Sequence, residues 1–86
     1  MSPKSILCRG IRYKIVWESP GEDLLGTCDD RSGKSPEIWI DPNQSDSQIV
    51  DTLIHEILHA CLPDLSEDAV TETATVIARA IRRLPV

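Results

Sequence analysis

The stretch "DTLIHEILHACLPDLSED", residues 51–68, holds both histidines of an 86-residue chain, four positions apart, with a glutamate directly after the first. On a helix, residues four apart stand one turn above each other on the same face. His55 and His59 can therefore reach a single ion. Zinc takes nitrogen ligands at ~2.0–2.1 Å in a tetrahedral shell, and this pair would fill half of it. Glu56 leans beside such an ion and does not bind it. There a carboxylate can take a proton from an activated water and pass it to a leaving amine. This is the HExxH arrangement.

Outward from the motif, the pattern is helical on both sides. "SDSQIVDTLIHEILHACL", residues 45–62, has Ser45 as a plausible N-cap and Gln48 three positions later, as in a capping box. Ile49, Val50, Leu53, Ile54, Ile57, Leu58 and Cys61 spread over a broad apolar arc, so this helix should be largely buried. Pro63 ends it. Ser66 then caps a second helix over 67–84, with an apolar stripe of Val70, Ala74, Ile77 and Ile81 and Ala78 beside it. The short connection makes the two helices an antiparallel pair.

Residues 1–42 have a different texture. In "IRYKIVWE", residues 11–18, Ile11, Tyr13, Ile15 and Trp17 recur with the period of two of a half-buried strand. "LLGTCD" (24–29) and "EIWID" (37–41) give two more strands, the last with Ile38 and Ile40 on one face and Trp39 on the other. Loops this short cannot hold a helical crossover, which predicts an antiparallel meander. The expected fold is α+β: one domain over 1–86, with a small antiparallel sheet of about three strands packed on two helices.

A catalytic zinc needs a third protein ligand, and no histidine remains. The second helix offers Glu67, Asp68 and Glu72. Glu67 lies three before Val70 and seven before Ala74, on the stripe that faces the first helix, so it is the preferred ligand. Glu72 comes second, because it shares the polar face with Arg79. Asp64 in the turn is weaker. The competing reading of Glu67 is a first-turn acid favoured by the helix dipole.

Composition narrows the function. Fourteen acids stand against nine bases, a net charge of −5, which does not suit a grip on nucleic acid. Three widely spaced cysteines with no CxxC pair read as reduced thiols in a cytoplasmic protein. No run approaches a membrane span. Cys61 sits near His59 but in an apolar stretch that does not activate a thiol, and the acids beside Cys28 raise its pKa. Phe is absent, so Trp17 and Trp39 read first as core or sheet-face residues.

With "HEILH", a following acid-bearing helix and a preceding strand "EIWID", the chain resembles the zincin metallopeptidases of the glutamate-ligand type, the gluzincins. It is also similar to small phage-type zincins and to the catalytic core of ImmA/IrrE-like peptidases. The resemblance covers roughly residues 24–84. It implies one Zn2+ per chain and a peptide or protein substrate laid along a strand at the cleft rim. By that analogy Trp39 and the segment from Gly26 to Asp30 line the groove. The connection from the motif to Glu67 is much shorter than in large gluzincins. No second domain is present, and no histidine is left to steady an oxyanion.

The expected activity is zinc-dependent peptide hydrolysis with Glu56 as general base. The alternative is a metal-stabilised binding or regulatory module without peptidase activity. A purely structural site has no use for an acid at position 56, which favours the enzyme. The oligomeric state is open.

Overall fold

In the computed structural model, which describes residues 2–85, the chain forms β1 (Ser5–Cys8), β2 (Ile11–Val16), β3 (Gly26–Cys28), β4 (Glu37–Ile40), α1 (Asp46–Cys61) and α2 (Glu67–Arg82). The α+β class is as expected. The sheet has four strands, however, in the order β1-β2-β4-β3. The extra strand, "SILC", turns back through Arg9 (φ 50°) and Gly10 (φ 87°) to pair antiparallel with β2. Two positive φ values in a two-residue loop are what a tight hairpin requires.

The antiparallel meander is also corrected. β4 inserts between β2 and β3, antiparallel to β3 and parallel to β2. No helical crossover is needed for this. The chain leaves β2, passes one strand-width outward to form β3, and returns antiparallel into the gap, which aligns β4 with β2. The cleft-side edge strand is therefore β3, and β4 is internal.

Tyr13, Ile15, Ile38 and Ile40 alternate inward from β2 and β4 and, with Cys8 and Ala60, form the core. Ile49, Leu53, Ile57 and Cys61 of α1 pack at its margin. The most buried positions of α1 itself are Thr52, Glu56 and Ala60, spaced by four. The helix thus docks on the sheet with a carboxylate in its buried face. At its far end the last-turn carbonyls are capped by arginines: Arg31 donates to Ala60 O at 2.6 Å and Arg9 to Cys61 O at 2.7 Å.

α2 packs on α1 through Val70, Ala74 and Ala78. Ile77 and Ile81, expected on that stripe, are 37% and 44% exposed. The alanines win because small side chains let two helix backbones approach closely, whereas the isoleucines would hold them apart. Glu67 still shares the inward face, since Val70 and Ala74 belong to both versions of the stripe. Ser66 caps α2, its Oγ accepting from Ala69 N at 3.1 Å.

Ser66→Ala should destabilise the protein by about 1 kcal/mol, the usual loss for an N-cap. Urea denaturation measures it, and an unchanged midpoint would show that the cap is not what starts α2.

Candidate metal centre

His55 and His59 project from one face of α1, and the start of α2 returns across a short turn to face them. His55 Nε2 lies 2.9 Å from Glu67 Oε1, and His59 Nε2 lies 2.9 Å from Glu67 Oε2. The two Nε2 atoms are 3.2 Å apart. Ligands at 2.0–2.1 Å from a tetrahedral zinc are separated by roughly 3.3–3.4 Å, so small side-chain movements would admit the ion. Two imidazoles and a carboxylate are also a donor set that zinc accepts. Among the described residues, His55, His59 and Glu67 are the group whose donors converge in this way. Three protein ligands leave a coordination position open.

The other carboxylates stand apart. Glu72 is exposed on α2, five positions past Glu67 and so well round the helix, and Asp64 is exposed in the turn. Neither joins the cluster.

Glu56 lies in the same cleft but is oriented differently from the ligands. It is only 7% exposed, against 66% for the side chain of Glu67. Burial raises its pKa above the ordinary 4.5, opposed by the charges of His55 and His59. A carboxyl with a raised pKa beside a candidate metal is suited to hold and release a proton.

What buries it is β3. A Cβ on Gly26 would sit 2.7 Å from Thr52 Cγ2 and 3.0 Å from Glu56 Oε2, so only glycine lets the strand come this close. The cleft, about 650 Å³, is lined along β3 by Gly26, Thr27 and Cys28 and along α1 by His55, Glu56 and His59. Asp41 N donates to Leu25 O and Asp29 N to Glu37 O, both at 2.9 Å. These bonds place residues 25, 27 and 29 in hydrogen-bonded pairs with β4. By alternation, Gly26 and Cys28 turn their backbone N–H and C=O outward, to the free edge at the cleft.

Trp39 is not at this edge. It is half-buried on internal β4, and its Nε1 donates to Glu37 Oε1 at 3.1 Å. Of the groove residues suggested by analogy, the segment from Gly26 to Asp30 lines the cleft and Trp39 does not. Tyr13 is fully buried, and its hydroxyl donates to Asp29 O at 3.0 Å, steadying the end of β3. Cys28 lines the cleft as a protonated thiol: burial, then the charge of Glu56, pushes its pKa up to about 12.

Arg31 is the residue that sequence reasoning missed. Among the described residues it is the one lysine or arginine lining the cleft, and it donates to Cys8 O (2.8 Å) and Arg9 O (3.0 Å) as well as to Ala60 O. It ties the loop after β3 to the β1–β2 turn and to α1. "DRSGKSP" reads as a plain loop, and no local pattern marks its arginine.

Gly26→Ala should destabilise the protein by about 1–3 kcal/mol, as overpacking does, and lift β3 from Glu56. Urea denaturation would read the loss, and wild-type stability would show that the strand yields freely. In the metal-free protein, Glu56→Gln should become more favourable relative to wild type as pH rises. The fold prefers protonated Glu56, so its contribution is complete below 4.5 and is lost as pH climbs through the raised pKa. Unfolding of chelator-treated proteins at about pH 4 and about pH 7.5 checks this; the same difference at both would rule out the raised pKa.

Comparison with protein-family models, with curated proteins and with solved structures returns no match.

Proposed function

We propose that the protein is a small zinc-dependent peptidase. The observation that carries this reading is the convergence of His55, His59 and Glu67 within 4.8 Å of one another beside a buried Glu56. A zinc ion bound there would supply Lewis acidity, acidifying a water and polarising a substrate carbonyl.

The chain's own residues have distinct tasks. His55, His59 and Glu67 would hold the ion through donors from two helices. Glu56 takes the proton of the attacking water and returns it to the leaving amine. β3 offers the free backbone groups of Gly26 and Cys28, onto which an extended peptide adds as a strand. Cys28 stays protonated and takes no part as a nucleophile. The family kinship with gluzincins belongs to this proposal and rests on the HEILH helix and Glu67.

A module whose zinc is only structural is the second reading. It is favoured by the cleft's lining, in which, among the described residues, there is no tyrosine and no histidine besides the two candidate ligands to steady an oxyanion. It leaves the buried carboxyl at position 56 without a purpose.

Elemental analysis of the purified protein should find one zinc per chain. Glu56→Gln should keep the metal yet cleave peptides about 10²–10⁴-fold more slowly. Glu67→Gln should weaken metal affinity by at least about 100-fold, beyond the effect usual for a residue that only supports a ligand. A native chain that binds no zinc would sink both readings; zinc with no cleavage of any peptide would leave the structural one.

A further inference from the structure

On the other side of His55 and Glu56 from the cleft, a second cavity of about 380 Å³ opens between the segment leading into β3 and the two helices. Leu24 and Leu25 provide an apolar wall, each about half exposed. Asp51 enters from α1, one turn ahead of His55, and its Oδ2 lies 3.5 Å from the Thr75 hydroxyl of α2. Asp23 enters from the opposite side at a left-handed φ of 63°.

Among the described residues no lysine or arginine lines this cavity, and neither aspartate has an ion-pair partner. Glu56 borders it too, more than nine-tenths buried and with no hydrogen-bond partner among the described residues. The metal cleft differs in that a guanidinium, that of Arg31, is part of its lining.

We propose that this cavity is a side-chain subsite that selects a lysine or arginine next to the bond to be cut. The inference rests on the peptidase reading and names its substrate class. A long basic side chain suits both parts of the lining. Its methylenes pack on Leu24 and Leu25, and its charged head reaches the carboxylates of Asp23 and Asp51. An acidic side chain would meet like charge on two sides, and a short neutral one would touch neither wall nor carboxylates.

The test titrates blocked pentapeptides, Ala-Ala-Xaa-Ala-Ala with lysine, norleucine or glutamate at the centre, into zinc-loaded Glu56→Gln protein. Backbone amide NMR shifts report binding without any turnover. The lysine peptide should bind about tenfold more tightly than its norleucine counterpart, and the glutamate peptide most weakly. Its shifts should centre on Leu24, Leu25 and Thr75.

Asp51→Asn and Asp23→Asn, each with unaltered amide dispersion, should each reduce the advantage, and together abolish it. Equal affinity for lysine and norleucine, an advantage that survives the double substitution, or no binding of any peptide would overturn the subsite. Lysine preference without cleavage by the zinc-loaded wild type would support the cation site and remove the peptidase reading alone.

Discussion

At Gly26, β3 crosses α1 so closely that no side chain fits between the strand and Glu56. That approach strips water from a carboxylate in a domain of only 86 residues, where stability is marginal to begin with. A fold assembled for stability alone would place an aliphatic side chain at position 56, between Thr52 and Ala60. The carboxylate there works against packing, and such conflicts between local preference and global fold tend to mark sites of function. The same approach brings the free edge of β3 beside the two histidines, so the strand that dries the carboxyl also borders the cleft.

The charges around α1 are arranged unevenly along its length. Its C-terminal carbonyls are met by Arg9 and Arg31, which anchor that end to the β1–β2 turn and the loop after β3. Its N-terminal half carries Asp51 toward a cavity with no neutralising cation. His55 and Glu56 stand between the two environments. A ligand lying across the helix would thus meet a guanidinium on one side and carboxylates on the other, which gives the site a direction as well as a position.

The helical half of the molecule was readable because the period of an α-helix places His55 and His59 together whatever lies around them. Glu67 followed from its register with Val70 and Ala74, and the structure brings it to both histidines. The rest of the α2 contact departs from the expected stripe: Ile77 and Ile81 are exposed, and Ala78, expected beside the stripe, is buried with Val70 and Ala74. Strand positions followed from alternation, but pairing did not. Whether β4 lies beside β2 depends on β3 standing one place further out, and no local pattern records that. β1 is four residues long and is followed by Arg-Gly, a weaker hairpin signal than Asn-Gly or Asp-Gly. Arg31 is set by partners 22 to 29 positions away. Such a role exists only once the chain has folded.

Among the described residues, α2 packs on α1 and on no strand of the sheet. The sheet and α1 share the main core, whereas the fully buried positions of α2 are one valine and two alanines. An element that rests on a single neighbour can open as a cooperative unit of its own. Glu67 sits on that element, at the end nearest the turn. Whatever binds His55, His59 and Glu67 together therefore clasps α2 to α1. Occupancy of the site and docking of α2 are then linked, and amide exchange along α2 would register how full the site is.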